Sequence, residues 1–168
     1  RSLLLVDCDI KFKRERKRKL FPLFFVLAFG LMINCIDMSQ FDAVAREWDM
    51  NKMHQDRTLA IAKEMAKVIP FNKEWSVLEF GAGTGLLSFH LKDRFKQITL
   101  VDNSSEMIKV CEEKCSLLKS SHIHPVCIDL EHNVLDKSFD LIYSQMALHH
   151  VGDVVDVFKT FYELLNIG

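Results

Sequence analysis

The residues best suited to chemistry lie in one short stretch, Val77-Leu78-Glu79-Phe80-Gly81-Ala82-Gly83-Thr84-Gly85. Three glycines at alternate positions remove the Cβ where a backbone must turn tightly or approach a ligand. Asp102 follows, seventeen residues beyond Gly85. A carboxylate there can accept from both hydroxyls of a ribose, which implies a nucleoside-like ligand. Two phosphate-binding patterns fail. A P-loop ends in Gly-Lys-Ser/Thr, and no such ending exists here. A dinucleotide fingerprint needs G-x-G-x-x-G; read from Gly81 its last position is Leu86, and from Gly83 it is Ser88. The second is a near miss, so a nicotinamide-dependent oxidoreductase stays open as an alternative. Glu79, two residues before the first glycine, opposes a pyrophosphate and suits a ligand that carries positive charge.

Other reactive residues give weaker patterns. His122 and His124 share one face of a strand, but no third ligand is spaced to complete a site, so no metal is expected. His149 and His150 are adjacent, so at most one is expected to face a pocket; His149 is the candidate general base, with packing as the competing role. Cys8, Cys35, Cys111, Cys115 and Cys127 are an odd set without a C-x-x-C pair. Cys111 and Cys115 fall four apart and are expected to be buried small hydrophobes, which fits a reducing, cytoplasmic compartment.

These residues need a frame, and the pattern from residue 54 onward supplies one. Helices are expected at His54–Ile69 (Leu59, Ala62, Ala66 and Ile69 inward, Pro70 as the stop), Leu86–Arg94, Ser104–Leu118 and Asp153–Leu165. On the third, Met107, Val110, Cys111 and Leu118 share a side, Asn103 is the expected cap and Glu106 the capping-box carboxylate. On the fourth, Val154, Val157, Phe158, Phe161 and Leu165 face inward. Strands are expected at Trp75–Phe80, Gln97–Val101, Ile123–Ile128 and Phe139–Ser144. This alternation predicts an α/β fold, a Rossmann-like open parallel sheet with helices on both faces. In such sheets ligands bind beyond the carboxyl ends of the strands, where the glycine loop and Asp102 fall.

E-x-G-x-G-x-G followed by Asp102 resembles the class I S-adenosylmethionine-dependent methyltransferases, small-molecule branch, similar to the ubiquinone/menaquinone enzymes. The resemblance runs from about Phe41 to Gly168. Phe41-Asp42-x-x-Ala45-x-x-Trp48-Asp49 is similar to the segment that folds over the cofactor; Asp129-Leu130, Phe139–Ile142 and Ala147-Leu148-His149-His150-Val151 match later motifs. The resemblance implies S-adenosylmethionine as cofactor and a small-molecule methyl acceptor. It implies Glu79, Gly81, Gly83 and Gly85 near the methionine end and Asp102 on the ribose. Asn103, Asp129 and the Leu130 backbone N–H would meet the adenine, and Ser144 and Gln145 would border the reactive methyl. Trp48 and Phe41 are read as acceptor pocket or as core. The family's sheet has seven strands and four are legible, so a C-terminally truncated cofactor domain is expected, with one side of its fourth strand exposed. A non-catalytic cofactor-binding or partner module is the main alternative.

Composition bounds the remainder. The chain has 168 residues, 49% hydrophobic and 27% charged, enough for one packed domain. The formal net charge of −1 hides a split. Residues 1–19 hold eight Lys/Arg against three Asp/Glu, and the rest hold fourteen against twenty. The acidic body argues against nucleic acid as a partner. Lys11–Lys19 precede an uncharged run, Leu20–Ile36. That order suits a signal anchor, with a possible membrane span through residues 20–36; the run is seventeen residues, at the lower limit for a helix that crosses. Met38 also looks like a natural start, which would make 1–37 an artefactual extension and 38–168 the cofactor-binding domain.

Overall fold

The computed structural model describes residues 23–27 and 39–166. Strand β1 spans Leu23–Leu27, β2 Ser76–Phe80, β3 Gln97–Asp102, β4 Ile123–Cys127 and β5 Leu141–Gln145. Helix α1 spans Ser39–Val44, α2 Lys52–Val68, α3 Leu86–Leu91, α4 Ser105–Leu117 and α5 Val154–Leu164. The sheet runs β1-β5-β2-β3-β4 with every pair parallel. The chain leaves β2, steps outward through β3 and β4, then returns to β5 on the other side of β2. The strand order therefore reverses between β2 and β5, and that is where a ligand crevice opens.

Side chains alternate across the sheet as the two-residue period requires. Val77, Leu141 and Tyr143 face α2 and α3, packing with Ile61, Met65, Leu87 and Leu91. Leu78, Phe80 and Ile142 face α5, packing with Val157, Phe161 and Leu164. With both faces covered, β2 reads as a near-continuous apolar run broken by Glu79.

Several expectations shift. In α2 the buried residues are Thr58, Ile61, Ala62 and Met65, with Ile69 just beyond; Leu59 and Ala66 are exposed. The inward stripe is thus centred on Ile61 and Met65, because α2 must also seat the polar Thr58 against β5. Leu118 and Val154 are likewise exposed, while Met107, Ile108, Cys111, Val157 and Phe161 are buried. Ser104, not Asn103, caps α4: its Oγ accepts from the Met107 amide at 3.2 Å. Glu106 pairs with Lys109 rather than closing a capping box.

The largest difference is at the sheet edge. The fourth expected strand, β5, does not leave its outer side open; β1 pairs with it from Leu23 opposite Leu141 to Leu27 opposite Gln145. An unpaired parallel edge accepts any extended segment that offers N–H and C=O groups in register. The Leu23–Leu27 segment, rich in aromatic and β-branched residues, has that propensity. Five residues of the apolar run therefore lie in a strand, and among the described residues no helix is long and apolar enough to cross a membrane. The basic cluster Lys11–Lys19, Cys8, Cys35 and Met38 lie outside the described residues.

Candidate functional site

The glycine loop leaves β2 at the strand-order reversal. Gly81 and Gly85 adopt φ of +62° and +75°, in the left-handed region that glycine enters without strain. A Cβ at Gly81 would sit 2.1 Å from the Ala147 Cβ, so the loop and the segment after β5 are in backbone-close contact. A Cβ at Gly85 would sit 2.8 Å from Leu100 Cδ1. The glycines let the loop fold flat over β3 and leave the crevice open above it.

Asp102, at the end of β3, is fixed by two backbone donors: Gly83 N–H at 2.7 Å and Ser104 N–H at 2.9 Å. Burial, opposed by these bonds, raises its pKa. Each carboxylate oxygen keeps lone-pair capacity, so the group can still take two further donors, as a ribose diol presents. The crevice between β2 and β5 is a cavity of about 320 Å³. Its walls include Glu79, Gly81, Gly83, Asp102, Asn103, Asp129, Leu130, Gln145 and His149. Gly85 and Ser144 are not on its walls: Gly85 serves as the left-handed entry to α3, and Ser144 is 3% exposed with its Oγ unpartnered.

Glu79 is 2% exposed and sits behind the loop. Its carboxylate accepts from the Ser88 amide at 3.2 Å and from the Ser88 hydroxyl, which is 2.6 Å from the Tyr143 hydroxyl. Desolvation pushes the Glu79 pKa up to about 8, against the Ser88 hydrogen bonds that lower it. Asp129 accepts from the Glu131 amide and pairs with His132 Nδ1 at 2.7 Å; those contacts outweigh its desolvation and hold its pKa below the ordinary value.

The segment before β2 closes the crevice. Phe41 packs on Trp48 (6.1 Å between centroids) and on His150 (5.2 Å), and Trp48 packs on His54 (4.2 Å). Polar contacts clamp the segment. Asp49 Oδ1 accepts from the Thr84 hydroxyl at 2.5 Å, Asp49 also pairs with Lys114, and Asp42 accepts from Ser104 Oγ at 2.5 Å. Thr58 Oγ1 accepts from Gln145 Nε2 at 3.2 Å, tying α2 to the end of β5. Both His149 and His150 line the cavity, against the expectation that at most one would: they sit in a 3-10 turn (Leu148–His150) with their rings 3.9 Å apart, His149 exposed and His150 half-buried. Burial, then the neighbouring His149, lowers the His150 pKa. Sequence reasoning named Asp42 and Asp49 only within the segment similar to the one that folds over the cofactor, and missed Thr58, Thr84, Lys114 and Arg57. Thr58, Thr84 and Lys114 are ordinary in their local pattern and marked only by a distant partner, and Arg57 only by the burial of its Nε.

The cysteines follow their expected roles in part. Cys111 is fully buried and its thiol pKa is pushed up by desolvation, Cys115 is half-buried and Cys127 is exposed; all three are free. Among the described residues no group of three or more His, Cys, Asp or Glu is arranged to hold a metal.

Known proteins resemble this chain in sequence and in fold. Residues 78–168 match the family described as "Methyltransferase domain". The chain is 30% identical over 132 residues to a malonyl-[acyl-carrier protein] O-methyltransferase of Marinomonas sp. (strain MWYL1), covering 77% of this chain and 47% of that protein. It is 29% identical over 111 residues to phosphoethanolamine N-methyltransferase 1 of Arabidopsis thaliana, covering 66% of this chain and 23% of that one. The solved DhpI-SAM-HEP complex superposes with a TM-score of 0.64 at 23% identity, covering 77% of this chain and 59% of that chain. The chain thus belongs to the class I S-adenosylmethionine-dependent methyltransferases, and S-adenosylmethionine is the family's cofactor. It spans about half the length, or less, of the curated relatives it matches first.

Proposed function

We propose that this chain binds S-adenosylmethionine in the β2–β5 crevice and that the protein transfers its methyl group to a small-molecule acceptor by direct displacement. The observation that carries the reading is Asp102, fixed by Gly83 and Ser104 beside a glycine cradle with no room for a Cβ at Gly81. When bound, the cofactor supplies a methyl group already activated on a sulfonium. The chain's own task is then alignment, which is worth about 7–11 kcal/mol when good. Glu79, Gly81 and Gly83 would hold the methionine end, with Gly85 shaping the loop. Asp102 would bind the ribose, Asn103 would lie beside the adenine, and Asp129 and the Leu130 N–H would pair with the adenine edge. Gln145 would border the methyl, with Ser144 supporting it from beneath. His149 would accept the acceptor's proton where that is an O–H or N–H. Phe41 and Trp48 would shield the site from water.

Residues 38–168 are read as the cofactor-binding domain, in a cytoplasmic protein; the free thiols suit that location. A second reading, a binding module without turnover, draws on the chain spanning about half of its relatives. One experiment separates the two. Calorimetric binding of S-adenosylmethionine is measured beside release of S-adenosylhomocysteine in the presence of a panel of small acids, amines and phenols. Binding with acceptor-dependent release supports transfer, and binding without release supports the module. Absence of binding, or tight binding of a reduced nicotinamide cofactor instead, overturns both.

A further inference from the structure

The charges of this molecule are divided between the two ends of its sheet. Every strand pair is parallel, so loops that enter strands gather at one end and loops that leave them gather at the other. The ligand crevice takes the leaving end. Residues 81–85, 103–104, 128–134 and 146–153 there hold Asp129, Glu131 and Asp153 and no Lys or Arg. The entering end is the reverse. Lys73 precedes β2, Lys92, Arg94 and Lys96 precede β3, Lys119 precedes β4 and Lys137 precedes β5. Acids are interspersed, but Glu74 pairs with Lys96, Asp93 pairs with Lys92, and Asp140 accepts from the Ser76 amide and from Asn166; Asp136 adjoins Lys137 in the chain. Lys73, Arg94, Lys119 and Lys137 are exposed and enter no ion pair among the described residues. Leu23, which opens β1, stands at this same end opposite Leu141. The sequence places Lys19, last of the basic cluster Lys11–Lys19, four residues before it. The basic head therefore joins the sheet at its basic pole.

Apolar side chains accompany these cations. Val68 closes α2 and is 55% exposed; Leu117 and Leu118 end α4 beside Lys119 and are 81% and 55% exposed. Exposed leucines next to lysines suit a lipid interface, where ammonium groups meet headgroups and apolar chains reach the acyl boundary. A single-stranded nucleic acid would need exposed rings to stack on, and Phe71, Trp75 and Phe95 at this end are packed against the core. We propose that this pole docks the protein on an anionic lipid surface, with the cations of the strand-entering loops on the headgroups and Leu117 and Leu118 at the acyl boundary. Strands of five or six residues are about 17–20 Å long, so the crevice opens away from that surface, toward water. This docking does not depend on methyl transfer.

The test floats the full chain with vesicles of phosphatidylcholine mixed with phosphatidylserine, and with vesicles of phosphatidylcholine alone. The expected result is binding to the mixed vesicles about tenfold or more tighter than to the neutral ones, and weakened by high salt. The combined variant Arg94→Gln, Lys119→Gln and Lys137→Gln should weaken that binding about fivefold or more, with its urea midpoint close to that of the wild type. Leu117→Ser with Leu118→Ser keeps every charge and should weaken it about threefold or more. Equal binding of both vesicle types, or binding of neither, overturns the proposal. So does full binding by the triple glutamine variant, which would leave residues 11–19 as the whole attachment. Full binding by the serine variant, or tighter binding of a DNA oligonucleotide than of the mixed vesicles, overturns the choice of lipid as partner.

Discussion

Glu79→Gln separates burial from charge at the centre of the sheet. Glu79 is 2% exposed, and desolvation moves its pKa from 4.5 to about 8. Below 4.5 both folded and unfolded chains hold the proton, so the side chain's contribution to stability is fully present. Between 4.5 and about 8 the unfolded chain releases the proton while the folded chain keeps it, so stability falls as pH rises. Above about 8 the fall levels off because both states are ionised. At about 1.4 kcal/mol per pKa unit, the loss amounts to roughly 5 kcal/mol. That is a large share of the ~5–15 kcal/mol that holds a domain folded. Asp102 is also raised by burial, so the wild-type slope alone is ambiguous; the difference between wild type and Glu79→Gln is the readout. Glutamine keeps an oxygen to accept from Ser88 and cannot ionise. Urea denaturation at intervals from pH 5 to 9 should show the wild type losing several kcal/mol more than Glu79→Gln. Parallel curves for the two proteins would refute the reasoning, because they would mean that Glu79 ionises in the folded state as easily as in water.

Other substitutions probe the walls. Gly81→Ala places a Cβ 2.1 Å from the Ala147 Cβ at a φ of +62°, so it should destabilise the fold by ~2 kcal/mol or more and abolish S-adenosylmethionine binding by calorimetry. Asp102→Ala frees the Gly83 and Ser104 amides and removes the ribose acceptor; about tenfold or more of cofactor affinity should be lost, and unchanged affinity would remove Asp102 from the site. Asp49→Ala breaks the contacts to Thr84 and Lys114, side chains only 21–28% exposed in the ion pair, and should cost ~1–2 kcal/mol in urea melts. Limited proteolysis should then cut first within residues 39–51, and an unchanged digestion pattern would show that the aromatic packing alone holds the segment.

The site was legible where its residues are special in themselves. Glycines at 81, 83 and 85 and a carboxylate at 102 stand out in any window, since few backbones need three Cβ-free positions in five residues. The strand–helix alternation was equally plain, because buried parallel strands are uniformly apolar and helices repeat every three to four residues. Helix phase was harder. The spacing marks a stripe of Leu59, Ala62, Ala66 and Ile69 on α2; Ala62 and Ile69 are buried, but Ile61 and Met65 complete the stripe in place of Leu59 and Ala66, since the helix has enough apolar residues to mark two overlapping stripes. The cap of α4 was displaced by one residue because Asn103 and Ser104 are both competent caps, and only the turn after Asp102 chooses between them.

Sequence by itself determined the order of elements from β2 onward and the placement of the glycine loop at the end of a strand. Those follow from local propensity and from residue chemistry that needs no partner. Tertiary structure alone decided which polar residues act together. Asp49 meets Thr84 and Lys114, Thr58 meets Gln145, and Ser88 links Glu79 to Tyr143, across separations from 9 to 87 residues. It also decided that Leu23–Leu27 pairs with β5, because an edge strand selects its neighbour by backbone register and not by a side-chain pattern that a single segment displays. Arg57 belongs to the same class: a basic residue on a polar stretch of helix is ordinary until the fold buries its Nε in the cavity wall without a hydrogen-bond partner.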